Sequence, residues 1–172
     1  FPGIVLAILS ANRPQAEIHL IESNARKASF LREVTRTLNL PAIIHNQRVE
    51  AAAPFLPAAC DCVTARALAP LHDLLTFQHR FLKFSCPSAF LKGQDIEEEL
   101  TFAAKYWNIE LDLVPSVTNS DGQIVLIRRA TPKANMPMKR RTAASIPHSR
   151  KAASITSVSD PPRNACPSPV NS

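Results

Sequence analysis

The chain has 172 residues, 45% of them hydrophobic, which is enough for one domain with a buried core. Its formal charge of +6 does not mark a basic folded surface: residues 1–130 hold 13 Lys and Arg against 13 Asp and Glu, while residues 131–172 hold seven against one, Asp160. The longest apolar runs are too short to span a bilayer, and Cys60, Cys62, Cys86 and Cys166 are spaced like neither a zinc pair nor a dense disulfide framework, so the composition is that of a reduced cytoplasmic protein.

The chain opens on Phe1-Pro2-Gly3 ahead of the apolar run Ile4-Val5-Leu6-Ala7-Ile8-Leu9. A glycine directly before a short apolar helix reads as the last piece of a glycine-rich loop that lays a ligand on a helix N-terminus. No strand leads into that loop, so the chain is expected to begin inside a cofactor-binding motif. Residues 17–22 alternate and then turn apolar, which suits a strand. Residues 24–38 read as a helix: Ala28, Leu31, Val34 and Leu38 recur at spacings of three and four with Phe30 beside them, Ser23 and Asn24 can cap the start, and Pro41 follows the end. Residues 42–45 form a short strand, and residues 51–57 a Pro-bounded connection with room for a turn of helix. Residues 60–65 are the next strand, with Cys60 and Cys62 on one face as ordinary small buried side chains.

Pro70 suits the first turn of a helix running to about residue 82. Residues 88–91 are a strand that stops at Lys92-Gly93. Residues 96–107 are a helix whose opening Glu97-Glu98-Glu99 suits its dipole and otherwise reads as a solvated face. Residues 109–114 and 124–129 close the domain as two strands joined through Asn119-Ser120-Asp121-Gly122. Residues 131–172 contain no Phe, Trp or Tyr, but seven Pro and seven Ser, and read as a disordered basic tail. Lys139-Arg140-Arg141 in that tail suits nonspecific contact with RNA phosphates, or is simply part of an uncommitted extension.

Strands alternating with helices predict an α/β, doubly wound Rossmann-like sheet over residues 1–130, and two final strands without a helix between them predict an antiparallel last strand. Ligands of such sheets bind beyond the carboxyl ends of the strands. The residues expected there are Glu22; the loop His45-Asn46-Gln47-Arg48-Val49-Glu50; Arg66; and Lys92. Glu22 stands 19 residues past Gly3, where a carboxylate can accept hydrogen bonds from both ribose hydroxyls of a nucleoside cofactor. It reads equally as a helix-start acid near Ser23. Arg66 and Lys92 place two cations at neighbouring strand ends.

Five segments in fixed order carry a more specific likeness: Phe-Pro-Gly-Ile-Val-Leu-Ala-Ile; Leu-Ile-Glu-Ser-Asn-x-Arg-Lys-x-x-Phe-Leu-Arg-Glu-Val; Asn-Gln-Arg-Val-Glu; Val-Thr-Ala-Arg-Ala-Leu-Ala-Pro-Leu; and Phe-Leu-Lys-Gly. Over roughly residues 1–129 the chain resembles the bacterial 16S ribosomal RNA guanine-N7 methyltransferases, also called glucose-inhibited division protein B. The tail has no counterpart in that resemblance. The resemblance implies a Rossmann-like class I methyltransferase that uses S-adenosyl-L-methionine and no metal, a monomer acting in the cytoplasm on 16S rRNA or the small ribosomal subunit, without membrane contact. It also implies that the glycine-rich segment ahead of Phe1, the first strand and a helical N-terminal region are missing, so that the chain is a fragment of impaired activity that binds the cofactor poorly.

Carried over by motif, Phe1 and Gly3 close the cofactor loop, Glu22 is the ribose-binding acid, Val49 and Glu50 flank the adenine, and Arg66 lines the site near the methyl donor. Arg26, Arg48 and Lys92 match basic positions facing RNA or the target base, though the family more often has lysine where Arg26 stands. Arg66 and Lys92 are the positioning candidates, and no residue is assigned as a general base. Guanine N7 carries an in-plane lone pair and no proton, so neither His45 nor His72 is needed for catalysis. Two other readings remain open: a nicotinamide-dependent oxidoreductase fragment, since a glycine loop with an acid also suits NAD, and a non-catalytic truncated product.

Overall fold

Pro2 opens helix α1 (Pro2–Leu9), a position where its missing N–H costs nothing. The computed structural model describes residues 2–57, 59–82 and 86–136; Phe1 and the tail beyond residue 136 lie outside them. Gly3 sits within α1 and is buried, so it is a helix residue and not part of a turn. Strand β1 (Ile18–Ile21) is buried on both faces. Ile18 and Leu20 pack with Ala7 of α1 and with Leu31, while Ile21 joins the main core.

Helix α2 (Ala25–Thr37) is capped by Asn24, whose Oδ1 accepts from the Lys27 N–H at 3.1 Å. Ala28 and Leu31 bury its inner stripe, but Phe30 and Leu38 are exposed, which corrects the face expected for them. Phe30 lies one residue off the stripe, and Leu38 is the C-cap, past the last full turn. Asn39 then leaves the helix at a left-handed φ of 46°. Strand β2 (Ala42–His45) runs parallel to β1. A single turn, α3 (Val49–Ala52), continues into a 3₁₀ turn, Ala53–Phe55.

Strand β3 (Val63–Arg66) starts later than the pattern of residues 60–65 suggests. Its neighbour explains this. The Val63 N–H bonds the Pro87 carbonyl at 3.0 Å, and Pro87, lacking an N–H, cannot extend the ladder backwards. Cys60 and Cys62 therefore lie on the approach to the strand. Helix α4 (Leu71–Phe77) widens into a π-helical turn, Gln78–Leu82. There Gln78 ties the turn to the next strand: its Nε2 donates to the Cys86 carbonyl at 2.9 Å, and its Oε1 accepts from Ser88 Oγ at 2.6 Å.

Strand β4 (Ser88–Lys92) is parallel to β3 and antiparallel to β6 (Gln123–Pro132), which also pairs antiparallel with β5 (Trp107–Pro115). Helix α5 (Ile96–Ala104) ends before the expected residue 107 because Trp107 already belongs to β5. Gly122 turns the β5–β6 hairpin, where an added Cβ would stand 2.9 Å from Ser116 Cβ.

The result is an α/β, Rossmann-like layer in two hydrogen-bonded pieces, β1-β2 and β3-β4-β6-β5. Among the described residues no ladder joins β1 to β3, and α1 contacts both. The main core unites Phe90, Trp107, Leu71, Leu75 and Val125.

Strands β1 and β2 also share a polar ladder. His19 Nδ1 faces His45 Nε2 at 2.9 Å with the rings stacked, and His19 Nε2 meets Glu17 Oε1 at 2.6 Å. Burial, and then the neighbouring His19 ring, hold His45 below its ordinary value of 6.5. The unfolded chain therefore takes up the His45 proton more readily than the folded one. This contribution to stability is complete above about pH 7, and is lost as pH falls through 6.5 towards the folded value. Replacing His45 with Gln is expected to flatten the decline in urea midpoint between about pH 7 and pH 5.

Candidate functional site

The carboxyl ends of β1, β2, β3 and β4 open onto one cleft of about 980 Å³, within the size range of small-molecule sites. Its walls come from Ile21 and Ser23 at the end of β1, Gln47 to Glu50 after β2, Arg66 to Pro70 from the end of β3 onward, and Lys92 and Gly93 at the end of β4. The β5–β6 turn from Ser116 to Asn119 covers it. The cleft thus brings together Arg48, Val49, Glu50, Arg66 and Lys92. Gly3 and Arg26 do not line it; Arg26 is exposed in the first turn of α2, and Phe1 lies outside the described residues.

Glu22 stands between the lining residues Ile21 and Ser23 and is itself only 1% exposed. Its Oε1 accepts from the Asn24 N–H at 2.7 Å, and its backbone carbonyl accepts from Asn46 Nδ2 at 2.9 Å, which pins the end of β1 to the loop after β2. Its Oε2 is buried and has no hydrogen-bond partner. An unsatisfied buried carboxylate oxygen is costly and is relieved by a hydroxyl donor. Arg66 is exposed at the end of β3. The next residue, Ala67, takes a left-handed φ of 50°, a strained conformation for a residue with a Cβ, and this turns the chain from Arg66 into the Leu68-Ala69-Pro70 wall.

Lys92 is different in kind. Its side chain is 9% exposed, and its Nζ donates to Glu99 Oε2 at 2.5 Å and to the Ala69 carbonyl at 2.7 Å. Glu99 Oε2 also accepts from the Leu71 N–H at 2.6 Å. Pro70 provides no side-chain cap for α4, so Glu99, reaching over from α5, satisfies an N–H that the local sequence leaves open. The solvated face expected for the acidic run therefore holds for Glu97 and Glu98, which are exposed, but not for Glu99.

Neither His45 nor His72 lines the cleft. His72 is packed edge-on against Phe102, Tyr106 and Trp107, and its Nδ1 accepts from Trp107 Nε1 at 3.2 Å. Among the described residues, no group of three or more His, Cys, Asp or Glu side chains is arranged for a metal ion, and no helix is long and apolar enough to cross a membrane.

A cleft at the strand ends, with a buried acid beside it and three basic side chains on its walls, has a counterpart in sequence. The model of the GidB family, rRNA small subunit methyltransferase G, matches residues 1–125. The chain belongs to this family. Proteins described as ribosomal RNA small subunit methyltransferase G are 49% identical over 127 residues in Bradyrhizobium sp. BTAi1, 46% over 130 in Bradyrhizobium diazoefficiens and 46% over 139 in Nitrobacter hamburgensis. These matches cover 74%, 76% and 81% of this chain, but 57%, 50% and 54% of the relatives, so the chain spans about half their length.

Within the family fold, the Lys92–Glu99 pair yields a direct test. Glu99→Ala leaves an ammonium buried without a counter-charge and an α4 N–H uncapped. With Glu99 a quarter exposed, a loss of about 2–4 kcal/mol in urea unfolding is expected. Adding Lys92→Met to Glu99→Ala is expected to recover part of that loss, because it removes the stranded charge.

Proposed function

We propose that the cleft is an S-adenosyl-L-methionine site and that its chemistry is methyl transfer to N7 of a guanine in 16S rRNA, either in free RNA or in the small ribosomal subunit. The observation that carries the cofactor reading is the orphaned Glu22 Oε2, buried at the end of β1. That oxygen suits a ribose hydroxyl as donor, with Val49 and Glu50 on the wall where an adenine ring would lie. The named function of the relatives supports the methyl-transfer reading.

When bound, the cofactor supplies an electrophilic sulfonium methyl. The protein's own part is to hold and orient. Guanine N7 has a lone pair and no proton to remove, so the transfer asks for no general base from the cleft walls, which carry both acidic side chains (Glu50, Asp73, Glu99) and basic ones (Arg48, Arg66, Lys92). Correct placement of two reactants can supply roughly 7–11 kcal/mol of the barrier. Arg66, exposed on the cleft wall, is the residue suited to bond guanine O6 or a phosphate; Arg48, exposed nearby, suits phosphate. Lys92 is committed to Glu99 and Ala69, so its role is to hold the Arg66-to-Pro70 wall and not to reach for RNA. We further read the protein as a cytoplasmic monomer with a basic tail over residues 131–172, and the break between β1 and β3 as a cause of weak cofactor binding in this chain.

Calorimetric titration of the full chain tests the reading. S-adenosylhomocysteine is expected to bind saturably with a dissociation constant above the micromolar range, NAD not at all, and Glu22→Ala is expected to remove the binding. Preference for NAD sinks the cofactor assignment; a micromolar constant sinks only the claim that the broken sheet impairs the site. With labelled methyl donor at saturation, 7-methylguanosine is the expected product in 16S rRNA. Arg66→Ala is expected to lower transfer more than cofactor affinity, and an equal loss of both would assign the arginine to the cofactor.

A further inference from the structure

Away from the cleft, at the opposite ends of the same strands, two thiols meet. Cys60 lies on the approach to β3 and Cys86 just ahead of Pro87 and β4. They are 26 residues apart in sequence, yet their Sγ atoms stand 2.8 Å from each other. The approach is fixed by the ladder that starts immediately after them, where Val63 pairs with Ser88 and the Val63 N–H bonds the Pro87 carbonyl. The Cys86 carbonyl is also held by Gln78. Both thiols are half-buried, and a third, Cys62, turns its Sγ towards its own strand at the Val63 carbonyl.

We propose that Cys60 and Cys86 form a thiol–disulfide modification site that reacts with low-molecular-weight disulfides such as oxidised glutathione. The two sulfurs need to close by only about 0.8 Å to reach bonding distance, and the neighbouring strand entries bring them together. Cys86 is the attacking thiol. Either sulfur can donate its S–H to the other; with Cys60 as donor, the contact favours the Cys86 thiolate and, with burial, holds Cys60 protonated. Cys62 is held protonated by burial.

The reaction balances in two exchanges. The Cys86 thiolate attacks one sulfur of oxidised glutathione, forming a mixed disulfide and releasing one glutathione thiolate. Cys60 then gives up its proton and attacks the Cys86 sulfur, forming the Cys60–Cys86 bond and releasing the second glutathione. Two protein thiols are oxidised, and one glutathione disulfide is reduced to two thiols. The new bond would close the segment holding β3, α4 and the π-helical turn at the end of the layer remote from Arg66 and Lys92.

The test is to incubate the folded 172-residue chain carrying Cys166→Ser with oxidised glutathione near neutral pH, block remaining thiols and map the peptides by mass spectrometry. The expected result is a Cys60–Cys86 link as the main product and a raised melting temperature. Cys60→Ser is expected to stop at a glutathione adduct on Cys86, formed roughly tenfold faster than any adduct on Cys62, the advantage of a thiolate over a thiol held protonated. In urea the preference for the 60–86 pairing is expected to vanish. A chain that stays reduced, an adduct confined to Cys62, or a Cys60–Cys62 or Cys62–Cys86 link in the majority would overturn the assignment.

Discussion

The contact on which the cleft most depends is between Lys92 and Glu99. One carboxylate oxygen serves an ammonium from the end of β4 and the first N–H of α4, while the ammonium serves the Ala69 carbonyl. The consecutive elements β4 and α5 are thereby fastened at one point to the start of α4, which precedes them by some twenty residues, and the wall from Arg66 to Pro70 hangs from it. A lysine this buried is expensive without a counter-charge, so the pair also specifies which arrangement of the loop is allowed. The left-handed turn at Ala67 needs such support, because nothing in an alanine favours it.

The constraint at the other side of the cleft is an unsatisfied one. Glu22 gives one oxygen to the Asn24 N–H, and its second oxygen, buried, has none. Asn46 closes the other side of the same corner by holding the Glu22 carbonyl. The backbone around the acid is thus over-determined while its side chain is left short of a donor.

Much of the element order was legible because β1 to β4 are short, largely apolar runs, with Pro41 ahead of β2 and Lys92-Gly93 at the end of β4. The strand-end positions of Arg48, Val49, Glu50, Arg66 and Lys92 followed from that order, and the cleft gathers all five. What was not legible depended on partners remote in sequence. The start of β3 is set by a proline 24 residues downstream, on the neighbouring strand. Glu99 looks like its exposed neighbours Glu97 and Glu98 until α5 folds against α4. Gly3 lies in a helix although its local sequence suits a turn, and the Cys60–Cys86 approach is a product of strand pairing that no spacing rule captures.

The interrupted sheet has a consequence for how the molecule comes apart. Strands β1 and β2 with α2 hold together through one parallel ladder and a small apolar cluster, whereas β3 to β6 form a four-stranded layer over the main core. Among the described residues no ladder joins β1 to β3, and α1 contacts both. Separation at this seam breaks no main-chain ladder, so amide protection is uneven by construction: the two-stranded portion opens at lower free energy than the four-stranded one, as a distinct cooperative unit.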